Sequence, residues 1–259
     1  MNTPFPNCTI LGMGYLGRPL AEKCYQQGSE VAAVKRSLTS DDINLPIQLD
    51  SLDLNQADAF QAPFWAEHWR NKPTWFCLLP PTPFADYIAV LRQWREKAEA
   101  YGVQHLIFSS STGVYGDQAR VCDETTPPDP QTESARRIVA VEQELLASSV
   151  PNVDILRLGG LYCAERHPLR SLLKKSRISG GRQPVNVIHR DAAVAALLQT
   201  AAHPKGKRIR NVVETAHPTR AEFYAAEAHK LGLSAPDFLP NDTRSGKIVN
   251  SISETGLSL

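Results

Sequence analysis

No Cys-x-x-Cys pair occurs in this 259-residue sequence, and its seven histidines fall at no metal-ligand spacing. The five cysteines, at positions 8, 24, 77, 122 and 163, are odd in number and scattered. That pattern points to reduced thiols in a cytosolic protein and argues against a disulfide framework or a zinc site. Cys8 and Cys77 lie in strand-like runs, where cysteine packs as a small apolar residue. A basic block is also missing: 28 Lys and Arg stand against 27 Asp and Glu, a net charge of +1, so nucleic acid is not an expected partner. No uncharged apolar run approaches the roughly 18 residues of a membrane helix. The first twenty residues lack a charged start and an apolar core, so no signal peptide is visible and the expected location is cytoplasmic. Repeats and low-complexity linkers are absent as well. What remains, 42% hydrophobic and 21% charged, is the composition of a soluble globular protein.

The order along the chain is strand, helix, strand, helix. The run "CTILGMG" (8–14) is apolar and ends in glycines, and "YLGRPLAEKCYQQG" (15–28) has helical periodicity with a glycine stop. Further strands are expected at 30–36, 46–50, 74–79, 105–111 and 153–160, and helices at 57–70, 83–101 and 132–148. Strands that are apolar throughout fit a parallel sheet covered on both faces by helices. The expected fold is therefore α/β, a doubly wound parallel sheet of the Rossmann type. After residue 160 the pattern loosens into helical 167–177, a loop and strand at 180–189, helix 191–202, strand 208–214 and a helix from Thr219 to Leu231. The expected division is a dinucleotide-binding domain over 1–160, with 161–259 interleaving to complete the sheet and form a small C-terminal substrate-side lobe.

"GMGYLG" sets Gly12, Gly14 and Gly17 in G-x-G-x-x-G spacing between a strand and a helix. Gly12 permits the tight turn, Gly14 lets the backbone approach a pyrophosphate, and Gly17 allows close helix–strand contact. Tyr15 and Leu16 open the helix, whose N-terminal amides and positive dipole end suit phosphates. At the end of the second strand the residues are Lys35-Arg36-Ser37, with no acid until Asp41. A carboxylate there would bind the 2′-hydroxyl of NAD, whereas Arg36 and Ser37 can hold a 2′-phosphate. The expected cofactor is NADP.

With "GMGYLG", "FSSSTGVYG", "LRLGGLYC" and "VIHRDAAVAALL" in this order, the chain resembles the short-chain dehydrogenase/reductase superfamily from about Cys8 to Leu231. It looks most like the extended, epimerase/dehydratase branch or an atypical relative of it. The resemblance implies that Ser111 hydrogen-bonds the reacting oxygen of the substrate, with Thr112 adjacent. A serine cluster satisfying strand-end backbone groups would look the same. It also implies that Pro80 and Pro81 contact the adenosine ribose and diphosphate of the cofactor, although a plain strand stop accounts for them equally. The usual catalytic tyrosine, and the lysine four residues on that poises it and holds the nicotinamide ribose, have no counterpart. Ser134 and Ile138 stand at their positions, and no Tyr-x-x-x-Lys occurs anywhere. Arg137 could turn a guanidinium toward the ribose or simply face solvent. Tyr115 is expected to pack or anchor its loop, Arg157 to reach the site mouth or pair on the surface, and Asp191 to cap a helix. Arg166, His167 and Arg170 form a small basic group that could meet a phosphate or carboxylate.

Two functions follow from this reading. One is an NADP-dependent oxidoreductase acting on a small carbonyl or sugar-nucleotide-like substrate, with Ser111 or Thr112 polarising the carbonyl. The other is a non-catalytic NADP-binding sensor or partner module. An epimerase or dehydratase proper is a weaker third, because its proton chemistry relies on the absent tyrosine. The substrate's identity and homodimer formation stay open.

Overall fold

The structure, a computed structural model, describes residues 5–82 and 84–252, the side chain of Ile43 excepted. Its first half contains β1 (Cys8–Leu11), α1 (Gly17–Gln26), β2 (Val31–Lys35), α2 (Ser40–Ile43), β3 (Gln48–Ser51) and β4 (Thr74–Cys77). There follow α3 (Tyr87–Ala100), β5 (His105–Ser111), β6 (Val121–Cys122), α4 (Glu133–Leu146) and β7 (Asn152–Leu158). The remainder is β8 (Gly160–Tyr162), α5 (Leu169–Leu172), β9 (Val187–His189), α6 (Arg190–Ala202), β10 (Lys207–Val212), α7 (Arg220–Lys230) and β11 (Ile248–Val249).

Seven strands form one parallel sheet in the order β3-β2-β1-β4-β5-β7-β10. β1 and β4 are buried along their whole length, as strands covered on both faces must be. On one face α1 and α6 enclose Leu20, Ala21, Cys24, Val194 and Leu197 with strand residues Ile10, Phe76 and Ile107. On the other, α3 and α4 enclose Leu91, Trp94, Val141 and Leu145 with Trp75, Leu106 and Val153. This is the doubly wound α/β fold. Its strand order reverses between β1 and β4, so a crevice opens at their carboxyl ends. β8 with β9, and β6 with β11, make two short parallel ribbons outside the main sheet.

Three elements differ from their sequence expectation. The segment 57–70 is not an α-helix: a 3₁₀ turn at Ala59–Gln61 is followed by a single π turn at Trp65–Trp69. Pro63 holds the preceding Ala62 extended, at φ −55°, ψ 137°, and interrupts the helix. Trp65 then donates from its indole to the Ala59 carbonyl at 2.9 Å. Its ring lies 4.6 Å from Trp69, which meets Trp75 edge-on at 5.0 Å, so aromatic packing replaces the helix. The helical reading of 167–177 contracts to the single turn of α5. Asp191 lies inside the first turn of α6, and the cap is His189, whose Nδ1 accepts from the Asp191 amide at 3.2 Å. Among the described residues, no helix is long and apolar enough to cross a membrane, and no group of three or more His, Cys, Asp or Glu could hold a metal.

Candidate functional site

A crevice of about 970 Å³ lies at the strand-order reversal. Its floor is the glycine loop. Gly12 adopts φ +103°, a left-handed conformation that a side chain resists, and a Cβ there would stand 3.0 Å from Leu79. A Cβ on Gly17 would meet the Gly12 carbonyl oxygen at 2.2 Å, so this contact between helix and loop exists only for glycine. Gly14 is different: a Cβ there meets nothing within 4 Å. The free space above Gly14 is what a pyrophosphate needs to lie against the backbone. Tyr15 and Leu16 line the crevice where α1 starts, with no capping side chain and no acid in its first turn. The Arg18 amide already donates to the Gly14 carbonyl at 3.1 Å and Pro19 has no amide hydrogen, so what favours an anion there is the positive dipole end of the helix at Gly17.

One end of the crevice is formed by β2 and β3. Lys35 is committed to Asp42, Nζ to Oδ2 at 2.5 Å, and Arg18 approaches the same carboxylate at 3.5 Å. Burial alone would raise the Asp42 pKa, but hydrogen bonds from Lys35 and Thr39 outweigh it and bring it down to about 2. The charge of Asp42 is thus met by Lys35. Arg36 is exposed, lines the crevice and has no carboxylate in ion-pair range among the described residues. Ser37 is exposed but lies outside the crevice lining. Asp53, Leu54 and Asn55, just after β3, join this end. Nothing in the sequence marked them, because β3 is short and only partly apolar. The Asp53 carboxyl is held below the usual carboxylate range, first by the Asn55 amide and then by the Asn55 side chain, with Arg36 contributing.

The middle is bounded by Pro80 and Pro81 beyond β4, by Ser109, Ser110 and Ser111 at the end of β5, and by Leu158 to Leu161 after β7. Ser134 and Ile138 of α4 line this same region, Ser134 exposed and Ile138 buried. The two positions that lack the expected phenol and ammonium therefore face the crevice. Ser111 accepts from the Gly113 amide at 3.0 Å, which leaves its hydroxyl hydrogen free to donate. Ser109 donates to the Cys77 carbonyl at 3.3 Å.

Besides Ser37, two further expected site residues are not brought into the crevice lining. Thr112 is buried beneath it, because the chain turns into a 3₁₀ helix at Thr112–Tyr115 immediately after β5. Arg137 points away along its helix. It contacts Glu133 at 3.1 Å and donates to the Phe84 carbonyl at 3.1 Å, tying α4 to the loop after Pro81.

Beneath the serines is a buried polar network that the sequence only hinted at. Arg157 reaches neither the site mouth nor the surface. Its guanidinium is 2.6 Å and 3.0 Å from the two oxygens of Glu142, with both side chains almost wholly buried. Ser110 donates to Glu142 at 2.5 Å. Arg157 also donates to the Tyr115 hydroxyl at 2.9 Å, and that hydroxyl donates to Asn211 at 2.9 Å. Burial would lower the Arg157 pKa, yet the Glu142 carboxylate raises it above its ordinary value. Tyr115 anchors its loop, and its hydroxyl is spent inside this network.

On the far side of the crevice, Arg166 and His167 contribute to the lining, whereas Arg170 does not. His167 accepts from the Leu169 amide at 3.1 Å on Nδ1 and faces Glu227 at 3.3 Å on Nε2. Burial lowers its pKa first, against the pull of Glu227.

No protein-family profile matches the chain. Protein YeeZ of Escherichia coli K12 is 33% identical over 258 residues, covering 93% of this chain and 90% of YeeZ. Among solved structures, one from Methylobacillus flagellatus, described as an NAD-dependent epimerase/dehydratase, superposes with a TM-score of 0.77 at 25% identity. It covers 95% of this chain and 89% of its own. MoeE5, solved in complex with UDP-glucose and NAD, has a TM-score of 0.78 at 20% identity, covering 96% of this chain and 90% of its own.

Proposed function

Because the chain belongs to the short-chain dehydrogenase/reductase superfamily, in its NAD-dependent epimerase/dehydratase-like branch, we propose that its crevice takes NADP and that it is an oxidoreductase-like protein. Its substrate class would be a small carbonyl compound or a sugar-nucleotide-like molecule. The observation that carries this reading is the pairing of a glycine loop, open above Gly14, with the unpaired guanidinium of Arg36 at the end of β2. The first accepts a diphosphate and the second a 2′-phosphate. MoeE5, solved with NAD and UDP-glucose, lends the substrate class support by analogy of fold.

The dinucleotide, when bound, supplies hydride chemistry; the protein orients it and manages one proton. Ser111 is the hydroxyl that would hold the reacting oxygen. A proton relay through a phenol is missing from the α4 side, where Ser134 and Ile138 stand. Tyr87 also lines the crevice, but its hydroxyl donates to the Leu79 carbonyl at 2.8 Å. The proton is then exchanged with water or with a group of the substrate itself. The same vacancy favours a second reading, a protein that binds NADP without turnover.

Two sets of variants test these assignments. Arg36→Ala should weaken NADPH by roughly tenfold to a hundredfold, typical of a lost hydrogen bond to a charged group, and NADH far less. Equal losses in a fluorescence titration would remove Arg36 from the 2′-phosphate site. For turnover, Ser111→Ala should cost on the order of 10²-fold and Ser134→Ala less than about threefold. If wild type is silent on a panel of carbonyls and sugar nucleotides, the double variant Ser134→Tyr/Ile138→Lys restores a phenol and its cation one helical turn apart. Activity in that variant alone would show a substrate pocket that outlived its chemistry. Silence from both proteins would support the binding-only reading.

A further inference from the structure

We infer that Arg166 is a diphosphate-binding group of this crevice, acting from the loop after β8 beside the glycine loop. The inference rests on the nucleotide reading above and adds a binding residue from a different part of the chain. Arg166 is exposed, lines the crevice, and has no carboxylate in ion-pair range among the described residues. Its guanidinium carbon lies 5.1 Å from the ring centre of Tyr15, a residue of the glycine loop itself. Arg190 lies against the same ring at 5.7 Å, but its charge is already met by Asp191 at 3.0 Å and Glu165 at 3.4 Å. Burial, then the neighbouring Cys163, pushes the Tyr15 hydroxyl above the usual phenol range. The ring is therefore a neutral platform that steadies Arg166 without neutralising it.

The charge balance of the crevice leads to the same residue. Of its lining cations, Lys35 is spent on Asp42, which leaves Arg36 at the β2 end and Arg166 beside Tyr15. A phosphorylated dinucleotide likewise carries two anionic poles, the 2′-phosphate and the diphosphate. Arg36 suits the first, and Arg166, stacked on the loop that receives the second, suits a bidentate contact with phosphoryl oxygens. Its neighbour His167 is buried and accepts from the Leu169 amide at 3.1 Å, so the backbone that presents Arg166 is anchored. The same guanidinium chemistry would equally serve the diphosphate of a nucleotide-linked substrate, and the two sources are separable.

The test uses the full chain with Arg166→Ala and Arg166→Gln, in two calorimetric arms. In the first, NADPH and adenosine 2′-monophosphate are titrated; in the second, UDP is titrated into protein saturated with NADPH. If the cofactor's diphosphate is the ligand, both variants bind NADPH about tenfold more weakly, and adenosine 2′-monophosphate within twofold of wild type. The dependence of NADPH affinity on KCl concentration should also flatten. If a substrate diphosphate is the ligand, NADPH affinity holds while UDP affinity falls by a similar factor. Either loss upholds a diphosphate site and identifies its source. Wild-type affinities in both arms would overturn it and leave the nucleotide reading standing. Failure of wild type itself to bind NADPH would overturn both. Arg166 is exposed, so unchanged thermal midpoints are expected and separate these outcomes from misfolding.

Discussion

Arg157→Met is expected to lower the unfolding free energy by about 3–5 kcal/mol, the cost of leaving one partner of a buried ion pair uncompensated. The guanidinium makes two hydrogen bonds to Glu142 and one to Tyr115, and its side chain is only 2% exposed. Methionine fills much of the volume but strands the Glu142 carboxylate with Ser110 as its remaining partner. Urea unfolding should show a lower midpoint at an unchanged slope. A cycle with Glu142→Leu separates the pair from its desolvation: the double variant should recover most of the loss, because two apolar side chains replace two buried charges. A loss below about 1 kcal/mol for Arg157→Met would mean that the pair is hydrated and behaves like a surface contact.

Gly14→Val should reduce affinity for NADPH on the order of a hundredfold or more while the protein stays folded, because the added side chain occupies the approach of the pyrophosphate. The structure separates this substitution from its neighbour. A Cβ at Gly14 meets no protein atom within 4 Å, so the side chain falls in the open space of the crevice. A Cβ at Gly17 runs into the Gly12 carbonyl at 2.2 Å, so Gly17→Ala should damage the fold first. Circular dichroism melts beside fluorescence titrations distinguish the two. Normal nucleotide binding by Gly14→Val would mean that this loop does not cradle a diphosphate.

The parts legible in the sequence are those governed by local rules. Strands buried on both faces are written as unbroken apolar runs, so β1, β4 and β5 could be read directly. The glycine spacing encodes a backbone geometry, and Gly12 and Gly17 meet it through a positive φ and a close contact. Long-range packing decides the rest. The segment 57–70 has helical composition, but Pro63 and the stacking of Trp65 and Trp69 impose another path. Thr112 stands next to Ser111 in sequence, yet the turn that follows β5 sends one into the crevice and buries the other. Arg157 and Glu142 lie on a strand and a helix, and only the packing of α4 on β7 shows that they are partners. Asp53 follows a strand too weak to mark a loop that lines the crevice.

The central claim, an NADP crevice whose usual proton-transfer positions hold serine and isoleucine, is tested most directly by calorimetric titration of the full chain with NADPH and, separately, NADH. The expected result is one NADPH per chain, bound at least about tenfold more tightly than NADH, since Arg36 can hold the 2′-phosphate bidentately and outweigh the single carboxylate, Asp53, at that end of the crevice. Tighter binding of NADH, or no binding of either dinucleotide, would contradict the account.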